Sequence, residues 1–167
     1  MTPVAIAFGA NIGDRLACIS NGLAILADSV TWLGCSAVYE TEPMYVSGQP
    51  MYLNGVAAGA TSLGPVALVA ALKRVEAEFG PRSSLRNSPR ALDLDLIVYG
   101  NAILDLGGRY PVRVPHALMV ERRFVLDPLI EAWPGVLVPG IDLQLETHKE
   151  SVRSQYMIRK ADAPLRI

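Results

Sequence analysis

Cysteine, lysine and long apolar stretches are all scarce in this chain of 167 residues. Two cysteines, Cys18 and Cys35, are too few for a disulfide framework or a zinc site. The uncharged segment 43–72 is interrupted by glycine, proline and polar residues, so it never approaches the roughly 20 apolar residues of a membrane helix. Residues 1–9 lack the basic start of a signal peptide. We therefore expect a soluble, cytoplasmic protein with no membrane partner.

Charge of one sign is also lacking, since 15 basic residues face 16 acidic ones and the net charge is −1. This balance argues against a general nucleic-acid or membrane-surface binder. Lysine supplies only three of the cations, and seven of the twelve arginines fall between positions 82 and 123, beside four acidic residues. Guanidinium groups suit phosphate or carboxylate oxygens. This segment therefore predicts a site for a compact polyanion, although exposed arginines that only favour solubility would give the same pattern.

Hydrophobic residues make up 51% of the chain, which is enough for a real core and excludes intrinsic disorder. The length fits one domain. We expect a single domain over residues 1–167, with its core over 1–132 and a C-terminal extension over 133–167, as a monomer or a weak homodimer.

The spacing of apolar residues predicts alternating strands and helices. Apolar residues recur every three or four positions after Asp14, and again after Ser62 and Pro65, which predicts two amphipathic helices. Strands are predicted over Val4–Phe8, Thr31–Glu40, Tyr52–Thr61 and Ala91–Tyr99. The resulting order is typical of an α+β, ferredoxin-like βαββαβ core, whose antiparallel sheet carries its helices on one face and leaves the other free. A further helical segment is predicted within Ala117–Ala132.

Two aspartates interrupt the apolar pattern of the last predicted strand. Alternation places Asp93 and Asp95 side by side on one face. The opposite face is apolar and consists of Leu92, Leu94, Leu96 and Val98. Carboxylates two residues apart on a strand lie about 7 Å apart at their Cα atoms, which is close enough to bind Mg²⁺ together. The alternative is an ion pair with Arg86 or Arg90 on an exposed face.

The sequence has neither a Walker A motif nor a glycine-rich dinucleotide motif. A nucleotide would therefore have to be held by other residues. Basic residues flank the aspartates, namely Arg82, Arg86 and Arg90 before them and His116, Arg122 and Arg123 after them. A metal flanked by guanidinium groups is what phosphoryl transfer requires. The preceding proline fixes the direction of His116, although a lone histidine is as readily structural. No Ser/His/Asp or Cys/His set indicates a covalent nucleophile.

A second pair of side chains suits a flat heterocycle. Tyr52 and Asn54 are two apart on a predicted strand and therefore share a face. An aromatic ring beside an amide matches a planar ligand with an amide-like edge. Both residues could equally belong to an ordinary sheet surface.

Taken together, these residues resemble the 6-hydroxymethyl-7,8-dihydropterin pyrophosphokinase family of folate biosynthesis. The resemblance is carried in order by Phe8-Gly9-Ala10-Asn11, Tyr39-Glu40-Thr41-Glu42-Pro43, Gln49-Pro50-Met51-Tyr52-Leu53-Asn54, Pro89-Arg90-Ala91-Leu92-Asp93-Leu94-Asp95, and Val114-Pro115-His116-Ala117-Leu118-Met119 with Arg122 and Phe124. The stretch from Pro89 to Asp95 and the run Val114-Pro115-His116 are the most specific.

The resemblance implies transfer of diphosphate from ATP to the hydroxymethyl oxygen of the pterin, with release of AMP and with two Mg²⁺ ions held by Asp93 and Asp95. The catalytic residues that it implies are Asp93, Asp95, Arg82, Arg90 and His116. The implied ATP contacts are Glu76, Arg86, Arg90, Leu96, Arg113, His116 and Arg122. The implied pterin contacts are Thr41, Pro43, Met44, Tyr52, Asn54 and Phe124.

The sequence departs from this family in the segment before the aspartates. The family pattern Arg-Trp-Gly-Pro-Arg reads Arg86-Asn87-Ser88-Pro89-Arg90 here, which removes an aromatic residue and a glycine from a loop that covers the site. Gly80-Pro81-Arg82 supplies one cation where the family usually has two. Three alternatives therefore stay open: a relative that acts on a modified pterin alcohol, a pterin or nucleotide-binding module without turnover, and an interaction protein built on the same sheet.

Overall fold

The computed structural model describes residues 1–44, 48–80, 88–141 and 145–160 together with Leu165. Arg82 and Arg86 lie outside these residues. The strands are β1 (Thr2–Ala10), β2 (Thr31–Cys35), β3 (Tyr39–Thr41), β4 (Tyr52–Thr61), β5 (Asp93–Tyr99), β6 (Leu104–Leu106), β7 (Val112–Val114) and β8 (Met157–Arg159). The helices are α1 (Arg15–Leu26), α2 (Pro65–Glu78), α3 (Arg123–Ala132) and α4 (Leu145–Ser151), with a 3-10 helix at Met119–Glu121.

The main sheet is antiparallel and has the strand order β5-β1-β4-β3-β8, with β2 also paired to β4. β6 and β7 form a separate two-stranded sheet. The ferredoxin-like α+β core predicted from the sequence is confirmed. None of the helices in the described residues is long and apolar enough to cross a lipid bilayer.

The predicted strand Thr31–Glu40 is two strands, because the chain bulges between them. Cys35 pairs with Ala57 and Tyr39 pairs with Asn54, so three residues of this segment face two residues of β4. Ser36 lies in the bulge, where its hydroxyl accepts a hydrogen bond from the Val56 N–H at 3.0 Å. This side chain replaces the ladder partner that the bulge removes.

Helices α1 and α2 cover one face of the sheet, as the sequence predicts. The Asp14 side chain caps α1 by accepting a hydrogen bond from the Ala17 N–H at 3.1 Å. The apolar stripe of α1 then places Ile19 and Leu23 in the core with no exposed surface. Helix α2 starts at Pro65 after Gly64, which has no side-chain cap. The expectation that Ser62 and Pro65 together open this helix is therefore right for Pro65 and wrong for Ser62, because proline at the first position suits the helix start without a cap.

The opposite face is not free, contrary to expectation. Helix α3 packs there, and Leu126 and Leu129 are fully buried against Ala5, Val56 and other sheet residues. The helix therefore adds a second core layer on the side of the sheet to which Asp93 and Asp95 project.

A bulge in β5 corrects the predicted side-chain alternation. Leu96 pairs with Ile6 and Val98 pairs with Ala5, so Ile97 has no partner in the ladder. Leu96 stays in the core beneath α1 and α2, whereas Val98 joins Ile97 in the core beneath α3. The expectation that Val98 shares a face with Leu96 is wrong because the extra residue reverses the alternation.

The C-terminal segment extends the sheet through β8, which pairs with β3. Glu131 of α3 ties these strands together, accepting a hydrogen bond from the Tyr39 hydroxyl at 2.7 Å and one from the Arg159 guanidinium at 3.0 Å. Burial, together with the Glu131 carboxylate, raises the pKa of Tyr39 to about 12. Strand β3 is thereby fixed between two neighbours.

Close packing between β2 and α3 predicts a large effect of Gly34→Ala. A Cβ atom at position 34 would lie 2.5 Å from the carbonyl oxygen of Ala132. We expect this variant to lose about 1–3 kcal/mol of unfolding free energy, because backbone must shift to admit the methyl group. Urea unfolding followed by circular dichroism measures the loss. Gly107→Ala is the control, since no described atom lies within 4 Å of its new methyl group, and equal effects of the two substitutions would contradict the packing.

Candidate active site

A cleft of about 230 Å³ opens on the α3 side of the sheet, and the first turn of that helix forms part of its lining. Strands β1, β4 and β5 form its floor and the segment after β3 forms one wall. The residues of the predicted site that line it are Thr41, Pro43, Met44, Tyr52, Asn54, Arg90, Asp93, Asp95, His116, Arg122 and Phe124. The sequence assigned no site role to the other lining residues, among which are Gln49, Ile97 and Val125.

The two aspartates face this cleft and each has a basic partner. Asp93 forms an ion pair with Arg90, and Asp95 Oδ1 lies 3.5 Å from Lys73 Nζ. Burial raises the pKa of Asp93, and the neighbouring Asp95 charge adds to this rise. Burial also pushes the pKa of Asp95 upward, but Lys73, His116 and other basic groups hold it below its usual value. The Arg90 ion pair, which is the alternative to a metal site, is thus present, but it lies at the wall of an open cleft. Metal binding by the two aspartates stays a prediction.

Lys73 and Glu76 of α2 close the outer edge of β5. Lys73 Nζ donates to the Leu94 carbonyl oxygen at 2.8 Å and to Glu76 Oε1 at 2.5 Å, and Glu76 Oε1 accepts the Leu94 N–H at 2.7 Å. The backbone of an edge strand, which otherwise lacks partners, is satisfied here by a helix. Burial raises the pKa of Glu76, and Lys73 partly offsets this rise. No motif in the sequence indicates Lys73. The signal for it is a basic and an acidic residue at i and i+3 in a mainly apolar helix.

His116 is fixed by its own backbone and by its ring. Its N–H donates to the Ile97 carbonyl oxygen at 3.0 Å, after a cis Val114–Pro115 peptide bond. Its Nδ1 accepts a hydrogen bond from the Leu118 N–H at 3.3 Å. Burial lowers the pKa of His116, although Asp95 opposes this effect. Because Nδ1 accepts the hydrogen bond from Leu118, the ring carries its proton on Nε2, which makes Nε2 a hydrogen-bond donor.

The end of the cleft formed by β3 and β4 holds a buried amide. Asn54 Nδ2 donates to the Thr41 hydroxyl at 2.7 Å, and both side chains are almost fully buried. A Cβ atom at position 9 would lie 2.6 Å from Asn54 Oδ1, so only glycine leaves room for this amide.

The cleft is also lined by Arg122 and Phe124, and the Arg122 guanidinium lies 5.7 Å from the centre of the Phe124 ring.

Asn11 joins the two ends of the cleft. Its Oδ1 accepts a hydrogen bond from the backbone N–H of Arg90 at 2.7 Å, and the backbone N–H of Asn11 donates to the Arg90 carbonyl oxygen at 2.9 Å. Its Nδ2 donates to Gln49 Oε1 at 3.2 Å and to the Pro50 carbonyl oxygen at 3.4 Å. The side chain is buried, so each of these bonds replaces water. The segment that positions Arg90 is therefore tied to the loop that precedes Tyr52.

Five residues of the predicted site are not among those that line the cleft. The Leu96 side chain packs into the opposite core, and Glu76 lies behind the edge of β5. Arg113 is exposed and lies 3.6 Å from Asp105 on the small sheet. Arg82 and Arg86 fall outside the described residues. A role for these five in ATP binding or catalysis stays a prediction.

The donor set of the cleft fits a magnesium ion better than a metal held by protein alone. The described residues contain no cluster of three or more histidine, cysteine, aspartate or glutamate side chains that could hold an ion. They do contain two carboxylates on one strand beside open space. Mg²⁺ typically binds through one or two carboxylates, with waters and substrate phosphates completing its shell. Asp93 and Asp95 match that requirement.

Comparison with known proteins identifies similar sequences and a similar fold. The chain is 35% identical over 150 residues to the 2-amino-4-hydroxy-6-hydroxymethyldihydropteridine pyrophosphokinase of Bacillus subtilis, covering 89% of this chain and 87% of that protein. It is 34% identical over 152 residues to the folic acid synthesis protein fol1 of Schizosaccharomyces pombe, covering 90% of this chain. The chain spans only 20% of the length of that fungal relative.

A crystal structure of HPPK-DHPS in complex with substrates shares the fold, with a TM-score of 0.69 and 12% identity over 90% of this chain and 43% of that chain. The family model for 7,8-dihydro-6-hydroxymethylpterin-pyrophosphokinase (HPPK) matches residues 5–134. This match confirms the resemblance inferred from the sequence motifs. The chain therefore belongs to the 7,8-dihydro-6-hydroxymethylpterin-pyrophosphokinase family.

Proposed function

We propose that the chain transfers diphosphate from ATP to the hydroxymethyl oxygen of 6-hydroxymethyl-7,8-dihydropterin and releases AMP, in folate biosynthesis. The observation that carries this proposal is the single cleft that brings Asp93 and Asp95 together with Asn54 and Tyr52. Family membership and the bacterial relative's name support it. A cytoplasmic location and a monomeric or weakly dimeric state stay predictions.

The acceptor end of the cleft suits a pterin. Asn54 and Thr41 offer an oriented amide and hydroxyl to the polar edge of the ring, and Tyr52 and Phe124 offer aromatic faces. Pro43 and Met44 complete the wall beside them. A ring bound there places its hydroxymethyl group toward the aspartates, since the cleft continues in that direction.

The other end of the cleft carries the charge that phosphoryl transfer needs. Asp93 and Asp95 would hold Mg²⁺, which when bound neutralises charge on the ATP phosphates. Arg90, Arg122 and the Nε2–H of His116 supply donors to phosphate oxygens. The acceptor oxygen forms a bond to the β-phosphorus, the bond from that phosphorus to the α–β bridging oxygen breaks, and the hydroxyl proton passes to solvent. AMP leaves with the bridging oxygen.

Asp93→Asn should lower AMP formation from Mg-ATP and the pterin alcohol by a factor on the order of 10²–10³, because it removes half of the carboxylate pair that holds the metal. Separation of nucleotides by chromatography measures AMP with and without the pterin. Asp28→Asn is the matched control, since Asp28 is exposed in the turn after α1.

Activity of Asp93→Asn equal to that of the unmodified chain would contradict the metal assignment. Absence of AMP from the unmodified chain, with both reactants demonstrably bound, would favour a binding module. The same assay on a series of pterin alcohols detects a modified substrate. Absence of nucleotide binding altogether would favour an interaction protein.

Thr41→Val should weaken pterin binding by about tenfold and leave Mg-ATP affinity within about twofold, because the Asn54 amide loses the acceptor that fixes its orientation. Separate isothermal titrations with 6-hydroxymethylpterin and with Mg-ATP give the two affinities. Thr61→Val is the control: its hydroxyl donates to the Ser29 carbonyl oxygen at 2.6 Å, away from the cleft, so only stability should fall. Unchanged pterin affinity in Thr41→Val would mean that the pterin ring binds away from Thr41 and Asn54.

A further inference from the structure

Lys73 brings a positive charge to Asp95 from a different element of the fold. Asp93 is paired with Arg90, three residues before it on the same segment. Asp95 Oδ1 instead lies 3.5 Å from Lys73 Nζ, on helix α2. The lysine therefore reaches past the edge of β5 to the carboxylate on the cleft side.

The position of this ammonium group does not depend on Asp95. The Leu94 carbonyl oxygen at 2.8 Å and Glu76 Oε1 at 2.5 Å hold it on the strand edge. Only 21% of the Lys73 side chain is exposed, so water screens the charge incompletely. Lys73 is thus a fixed cation next to one of the two carboxylates proposed to hold the metal.

The local charges determine how strongly a free divalent ion is attracted. Asp93, Asp95 and Glu76 contribute three negative charges, while Arg90, Lys73 and the Arg122 guanidinium of the cleft contribute three positive charges. A divalent cation entering alone meets a carboxylate pair that is already largely neutralised, and it is repelled by the ammonium group. A cation that enters with a polyphosphate brings its own negative charge, which Lys73 attracts.

We propose that Lys73 is the resident counter-cation of Asp95 and keeps divalent metal affinity low until a nucleotide polyphosphate binds. The inference rests on the proposed function, since it concerns the same metal and nucleotide site. Lys73 acts here as a positioning residue: it sets the order in which charges assemble at Asp95. Metal binding and nucleotide binding are coupled through this one side chain.

Lys73→Gln tests the proposal, because the glutamine amide retains a donor for the Leu94 carbonyl oxygen and removes the charge. The Mn²⁺ affinity of the nucleotide-free chain, measured by electron paramagnetic resonance of free Mn²⁺, should rise about threefold to tenfold. Arg74→Gln is the matched control on the next, exposed position of α2 and should change the affinity by less than about twofold. The Mn²⁺ affinity of Lys73→Arg, which keeps the positive charge, should stay close to that of the unmodified chain.

The coupling itself is measured by repeating the Mn²⁺ titration with saturating α,β-methylene ATP. The ratio of Mn²⁺ affinities with and without this nucleotide should be smaller in Lys73→Gln than in the unmodified chain, by the same factor. Unchanged or weaker nucleotide-free affinity in Lys73→Gln would overturn the proposal, as would an equal rise in Arg74→Gln.

A measurement on the unmodified chain covers the case in which the variant does not fold. A crystal structure with Mn²⁺ and α,β-methylene ATP should show Lys73 still bonded to the Leu94 carbonyl oxygen and Asp95 Oδ1 turned away from it, more than about 4 Å from Nζ and so beyond ion-pair distance. An intact ion pair beside the bound metal would overturn the proposal. None of these readouts requires turnover, so they distinguish failure of this inference from failure of the proposed transferase activity.

Discussion

The site depends on two like charges held on one face of an edge strand. Asp93 and Asp95 repel each other in a half-buried setting, so each requires a basic partner. Because β5 has β1 on one side only, helix α2 has access to its other edge and can supply Lys73 and Glu76 there. Lys73 and Glu76 can reach β5 because it is an edge strand. They satisfy the hydrogen bonds of its backbone, and Lys73 also balances the charge of Asp95.

The cleft is a junction between elements that are distant in the chain. The buried Asn11 amide links Arg90, beside the aspartates, to Gln49 and Pro50, beside the aromatic end. Strand β3 contributes Thr41 to that end and is itself held between β4 and β8. The two halves of the site are consequently parts of one hydrogen-bonded framework, whose central amide is shielded from water.

Local patterns in the sequence predict the parts of this structure that depend on neighbouring residues. Alternation through Leu92–Leu96 places the aspartates on one face, and the spacing after Asp14 places Ile19 and Leu23 in the core. The bulge at Ile97, by contrast, arises from pairing with β1 and reverses the face of Val98. No local pattern contains that information, because register is decided between strands.

The missed features of the site have the same origin. Lys73 lies on a helix 22 positions before Asp95 in the sequence, and its role follows only from the packing of α2 against the strand edge. The cover that α3 provides over the second face likewise depends on how the chain after β7 folds back. The sequence predicts a helical segment within Ala117–Ala132, but it does not indicate the sheet face against which this helix packs.

The close approach between Gly9 and Asn54 carries a constraint on how this family member can vary. The two positions share one volume across neighbouring strands, because the amide oxygen of one occupies the space in which the other would place a methyl group. Their permitted residues are therefore interdependent: alanine becomes acceptable at position 9 only if position 54 carries a shorter side chain. In this chain the carboxamide and the glycine opposite it therefore form one unit.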